Sequence, residues 1–228
     1  SNSGTKTMPA TAMTIAGDFT MSGTVSATAG NAITINGNVS IGSLAAFSGS
    51  SFSHSVAGNW TNDGIFTGST STVTFSGTNA GISGSGTNNF NNLTVTGNGI
   101  AAGASTNLTV AGNLSTSGAG TFTHTTGGAG TVTMSGASKT IIGMGISLNN
   151  LTLSGSISTT SSSIIAGNLT VNGSLSATSG TITMSGTSKT ISGAGTISVN
   201  ALDVLGTIST IIRVSMSADL SVSGSLTA

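Results

Sequence analysis

Cysteine, glutamate, glutamine and tyrosine are absent from this 228-residue chain, and proline occurs once, at Pro9. Without cysteine there is neither a disulfide framework nor a thiolate metal site. Only eight side chains carry charge: Lys6, Lys139, Lys189, Arg213, Asp18, Asp63, Asp203 and Asp219. No basic patch can therefore hold a phosphate backbone, which excludes nucleic acid as a partner. Coiled coils and ordinary helical domains need more Glu, Gln and Lys than this. Apolar runs are a few residues long, far short of a spanning helix. The start, Ser1-Asn2-Ser3-Gly4-Thr5-Lys6, carries no signal-peptide pattern and is compatible with a processed mature end. A chain with no cysteine and almost no charge fits a secreted bacterial protein better than a cytosolic enzyme.

In place of these residues stand 41 serines, 40 threonines, 35 glycines and 19 asparagines. Such a composition also suits a flexible linker. The apolar residues argue against that, because they alternate with polar ones in short runs. Ala32-Ile33-Thr34-Ile35 and Thr131-Val132-Thr133-Met134 are examples. Strict alternation is the pattern of a half-buried strand. In Asn92-Leu93-Thr94-Val95-Thr96-Gly97 it turns Leu93 and Val95 inward and Thr94 and Thr96 outward. Threonine suits the outer face, being β-branched yet at ease in water.

The pattern recurs over a longer distance. Ala57-Gly58-Asn59, Ala111-Gly112-Asn113 and Ala166-Gly167-Asn168 are anchors spaced by 54 and 55 residues. Ala16-Gly17-Asp18 and Ala218-Asp219-Leu220 are an earlier and a later copy. Between the anchors, Val73-Thr74-Phe75-Ser76-Gly77 matches Val132 to Gly136 and Ile182 to Gly186. Ile82, Ile141 and Ile191 follow in step, and then Leu93, Leu151 and Leu202. A unit of about 54 residues is small for a sandwich domain, which takes about 100, and could not bury a core alone. Stacked coils remove the difficulty, because neighbours cover one another. The expected fold is all-β, a parallel β-solenoid (β-helix) built from cassettes of about 54 residues. Coils of roughly 18 to 27 residues give about 9 to 12 of them, a rod on the order of 45 to 60 Å long. Residues 16–228 form the solenoid domain. Residues 1–15 are set apart as an N-terminal extension, able to dock on a neighbouring subunit by strand addition.

Inward sites shared across the repeats include Met134 and Met184, and also Phe19, Trp60, Leu114, Leu169 and Leu220. Methionine there is core filler, and Trp60 is a large core plug rather than a ligand platform. Gly and Asn at the strand ends read as corner residues with positive φ or tight packing.

No catalytic, cofactor-binding or metal-ligating residue is expected. A solenoid hydrolase needs clustered acids or a metal. Asp18 and Asp219 stand at the anchor position, Asp63 lies in the turn Asn62-Asp63-Gly64, and Asp203 is on the outward phase of a strand. His54 and His124 lie in Ser- and Thr-rich strands 70 residues apart, and no nucleophile-elbow context supports a triad with any serine. Calcium would need runs of acidic loops. Lys139 and Lys189 are repeat equivalents and should be exposed on the same face. Asn-x-Ser/Thr triplets at Asn38, Asn59, Asn92, Asn107, Asn113, Asn150 and Asn168 are glycosylation acceptors in form. Most stand at the recurrent strand start, which favours a structural reason for them.

Three stretches carry a resemblance: Asn59-Trp60-Thr61-Asn62-Asp63-Gly64-Ile65-Phe66-Thr67, Ser71-Thr72-Val73-Thr74-Phe75-Ser76-Gly77 and Asn89-Phe90-Asn91-Asn92-Leu93-Thr94-Val95. They resemble bacterial β-strand-repeat surface proteins, and the likeness covers most of residues 16–228. It implies secretion, a β-helical rod and an adhesin-like setting, and it brings no binding residue with it. This chain departs from the pattern in being short and in showing no evident anchor. The expected function is that of an extracellular structural protein, not an enzyme. It assembles with copies of itself, head to tail, into a surface fibre, sheath or matrix. Cell envelope or surface glycans are further candidate partners. The alternative is a stalk segment of a large adhesin. The last residues, Asp219 to Ala228, match the cassette opening from Asn168 to Ala177 and show no cap. At the other end, Lys6 and Pro9 offer only a small block.

Overall fold

The computed structural model describes residues 3–228, and every regular element among them is a β-strand. The strands pair in parallel, each with the strand one coil before and one coil after it. Three columns of stacked strands result, and the chain visits them in fixed order. The first face starts at Ser3–Thr7 and ends at Ser225–Thr227, with twelve strands in one sheet. The second face starts at Met13–Ile15 and the third at Phe19–Met21. These two are joined into one twenty-stranded sheet, because Ser174–Met184 and Thr196–Val204 run round the corner between them. Between Ala177 and Thr181 that corner carries an irregularity in register. The molecule is a three-faced β-solenoid. Eleven steps of ~4.8 Å between the twelve stacked strands make a rod about 53 Å long.

Most strands between the two end coils obey the alternation read from the sequence. Leu93 and Val95 are fully buried, while Thr94 and Thr96 face outward. Met134, Met184, Leu114 and Leu169 are all in the core. The interior is one continuous column of side chains, with each coil covering the next.

Residues 3–15 do not stand apart from this rod. Ser3–Thr7 pairs with Thr24–Thr28, and Met13–Ile15 pairs with Ile33–Ile35. The described part of the expected extension is thus the first coil, held by the same ladder as every other. Ser1 and Asn2 lie outside the described residues.

The sequence repeat is not the structural repeat. The structure repeats once per coil, from 17 residues (Ile197 to Val214) to 27 (Leu114 to Ile141). In chain order, Trp60–Asn62 is the ninth strand and Leu114–Thr116 the seventeenth. Eight strands are not a whole number of three-strand turns. Trp60 therefore lies on the third face, Leu114 on the second and Leu169 on the first. Lys139 and Lys189 follow the same rule: Lys139 is on the second face, opposite Ile157, and Lys189 is on the first, opposite Ile208. Both are half-buried at strand starts, so the expectation that they share one exposed face is overturned.

Candidate functional site

The recurrent asparagines are where the side-chain chemistry concentrates, and they act as corner clamps. The Asn59 amide N–H donates to Asn38 Oδ1 at 2.8 Å, and the Gly81 N–H donates to Asn59 Oδ1 at 2.7 Å. Asp18 begins this series by accepting from the Asn38 N–H at 2.7 Å. On the second face Asn92 accepts from the Asn113 N–H, and Asn113 accepts from the Thr140 N–H. On the first, Asn107 accepts from Thr131, Asn150 from Asn168, and Asn168 from Thr190. Each carboxamide or carboxylate oxygen thus satisfies a backbone donor of the following coil, at a corner where the strand ladder cannot reach it.

Seven of the eight Asn-x-Ser/Thr triplets fall on these clamps; the eighth, Asn172-Gly173-Ser174, stands outside the series. The pattern arises because Asn holds the corner, the middle residue points inward and the hydroxyl residue points outward. At the anchors the same geometry decides between positive φ and tight packing in favour of the second. Among non-glycine residues, positive φ falls at Ser50, Ser69, Asn79, Ser138 and Ser188, and at none of the anchor asparagines. Glycine is needed at corners for close approach. A Cβ on Gly97 would lie 1.7 Å from the Gly77 carbonyl oxygen one coil away.

The aspartates do not converge. Asp18 is a corner clamp, and Asp63 accepts from the Ser85 N–H at 2.9 Å and the Ser85 hydroxyl at 3.0 Å. The backbone bond from Ser85, helped by the hydroxyl, holds the Asp63 carboxyl below its ordinary range. Asp203 is half-buried in the outward column of the third face, between Thr183 and Ser221. Its Oδ1 is buried without a hydrogen-bond partner. Asp219 is exposed in the last coil. Among the described residues, no three His, Asp or Glu side chains gather as a metal site.

His54 and His124 are core residues, far from the solvent contact a catalytic imidazole needs. His54 Nε2 bonds the Gly49 carbonyl at 2.8 Å, and its Nδ1 accepts from the Ile33 N–H at 3.2 Å. That pairing sets the tautomer, with the proton on Nε2. His124 is wholly buried, and neither ring nitrogen makes a well-formed hydrogen bond. Burial lowers the affinity of both rings for a second proton. The Gly49 carbonyl offsets this in part for His54, and the nearby Thr106 and Gly103 carbonyls do so for His124.

Trp60 is the expected plug, 2% exposed, but it is not a purely apolar one. Its Nε1–H donates to Asn88 Oδ1 at 3.0 Å. Asn62 Nδ2 donates to the same oxygen at 3.1 Å and to the Thr87 carbonyl at 2.8 Å. The Gly64 N–H in turn donates to Asn62 Oδ1. Sequence reasoning missed Asn62 and Asn88, both buried. Asn62 looked like part of a turn. The available signal was phase, since Asn88 stands two residues before the inward Phe90.

A surface depression near 500 Å³ lies on the third face among Thr121, Thr123, Ile146, Ser147, Ile164 and Thr183. Its lining has hydroxyl and methyl groups and no titratable side chain. No family model, curated protein or solved structure matches the chain.

Proposed function

We propose that this chain is a non-enzymatic, extracellular structural protein whose rods stack head to tail into a surface fibre, sheath or matrix. The contrast between its sides and its ends carries the reading. The sides are covered by outward hydroxyl residues, and their backbone groups are paired coil to coil. The two end coils leave inward-phase residues uncovered. Met13, Ile15 and Phe19 are only half-buried at one end, and Leu220 and Val222 are 46% and 44% exposed at the other. All strands run parallel, so the open edges at the two ends have the same chain direction and suit continuation of one ladder. Open edges of this kind recruit further strands, and a formal net charge of zero removes long-range repulsion.

A second reading, the stalk segment of a large adhesin, rests on a different observation. Repeat-equivalent positions rotate from face to face, so no side is singled out for a ligand, as suits a spacer. Cell envelope or surface glycans would then be contacted elsewhere than along this rod. Extracellular placement is supported by the missing cysteine and the near absence of charge.

Electron microscopy of the purified 228-residue chain separates the two readings. The fibre reading expects filaments with an axial repeat of about 58 Å, twelve steps of the ~4.8 Å strand spacing. Dispersed monomers across salt and protein concentration, confirmed by light scattering, would overturn it and leave the stalk.

A further inference from the structure

We propose that His54 and His124 are acid-sensitive latches, and that proton uptake by either imidazole opens the coil that holds it.

The case for His54 is one of hydrogen-bond direction. Its Nδ1 lone pair accepts the Ile33 N–H of the preceding coil, while its Nε2–H is held by the Gly49 carbonyl. A second proton must go on Nδ1. It would replace the acceptor with a donor aimed at the Ile33 N–H, so the link between coils cannot survive protonation. The ring is 5% exposed, and Phe47 lies beside it with ring centroids 6.3 Å apart.

The case for His124 is one of burial. No part of this ring reaches solvent, and neither nitrogen has a well-formed partner. It closes the strand Phe122–His124, immediately before the glycine-rich stretch 125–130. That stretch lies in the longest coil, which runs from Leu114 to Ile141. A charge there meets only the Thr106 and Gly103 carbonyls, which offset its burial in part, and lifting the largely exposed stretch 125–130 would admit water.

Nothing close by would neutralise either cation. Around His54 pack Ile33–Ile35, Thr72–Phe75, Ala46–Ser48 and Gly49. Around His124 pack Ile100–Ala102, Ile146–Leu148, Gly103, Thr106 and Gly130. None of these residues is an Asp, Lys, Arg or second His. The charged side chains of the chain lie at corners, on outer faces or at the rod ends.

The direction of the effect follows. Both rings bind their second proton more weakly in the folded chain than at the ordinary imidazole value of 6.5. The unfolded chain therefore takes up protons first. Stability is complete above that value and falls as pH drops below it. Until the folded-state values are reached, each ring changes the unfolding constant by about tenfold per pH unit. Carboxylates enter later, since their ordinary value is 3.8.

The test is the thermal midpoint of the full chain between pH 8 and pH 5, compared with that of a His54→Gln, His124→Leu double variant. The natural chain should hold its midpoint from pH 8 to 7 and lose it steadily below 6.5. The double variant should be flat over the same range. Equal pH dependence in both proteins, or none in the natural chain, overturns the proposal. Should the double variant fail to fold, hydrogen-exchange protection in the natural chain decides the matter. Selective loss at the Ile33 amide and across 125–130 near pH 5, relative to Val171, supports the latches. Uniform loss or unchanged protection removes them.

Discussion

The two halves of the rod enclose different interiors within the same walls. Seven of the eight aromatic residues lie before position 91, and only Phe122 follows. Phe19, Phe47, Phe66, Trp60, Phe90 and Phe75 form a connected stack, with ring centroids between 4.8 and 6.2 Å apart. The later half is filled by Leu, Ile, Val and Met. Alternation, outward threonines and asparagine corners are common to both. Strand alternation thus builds the wall whatever fills it. What changes is the polar cost of the filling. An indole brings an N–H into the core, so the aromatic half needs Asn88 and Asn62 beside Trp60. The aliphatic half holds no indole; its buried polar groups are smaller or singly placed, such as His124, Asn149, Thr159 and Ser163, and its apolar residues reach the surface more often. Ile142, Met144, Ile164, Leu205 and Ile211 are exposed there, against Leu44 and Ile65 in the first half.

The comparison would break most clearly if the halves did not open separately. Leu169→Asp, or Leu151→Asp, places an unpaired charge in the aliphatic column and should cost about 3–5 kcal/mol or more. Thr152→Asp, one residue along and outward, should stay within about 0.5 kcal/mol. Thermal melts measure the difference, and equal shifts would refute the inside–outside phase. Hydrogen exchange of Leu169→Asp should show protection lost in neighbouring coils and kept around Trp60. Loss of protection throughout would make the rod one cooperative unit and erase the distinction between its halves.

A smaller effect sharpens the polar contrast. Asn88→Leu leaves the Trp60 N–H and the Asn62 amide without their shared acceptor, at a cost of about 1–3 kcal/mol. Adding Trp60→Phe, which deletes the donor, should recover part of that loss in a double-mutant cycle. Additive losses would mean that the indole N–H makes no difference to the core.

The smallest effect is expected to be the same in both halves. Asn59→Ala and Asn168→Ala each remove one corner acceptor, and each should cost about 1 kcal/mol in denaturant unfolding. A marked difference between them would show that the corners, and not the filling alone, distinguish the halves.

Much of this was legible from residues alone, where the physics is local. Strand identity, the inward set such as Leu93, Val95, Met134 and Met184, and the outward threonines follow from side-chain alternation along an extended backbone. Trp60 was legible as a plug because a lone large ring in an inward phase has nowhere else to go. Its partners were not, since Asn62 closes the same strand at what reads as a turn and Asn88 arrives from 28 residues further on. The triplets beginning at Asn38, Asn59 and Asn168 pointed to strand starts. That each carboxamide clamps the following coil required knowing which backbone N–H lies above it.

Composition and alternation by themselves determined that the chain is all-β, nearly uncharged and built of stacked coils, because each of those properties is carried by a residue and its near neighbours. The tertiary structure alone decided that three strands complete a turn. Closure depends on how corners bend and on which distant strand supplies the next rung, and neither is written in a single segment. With three strands to a turn and eight to a sequence repeat, equivalent residues such as Lys139 and Lys189 fall on different faces. The same closure placed His54 and His124 inside, where coils 19 or more residues apart in sequence cover them.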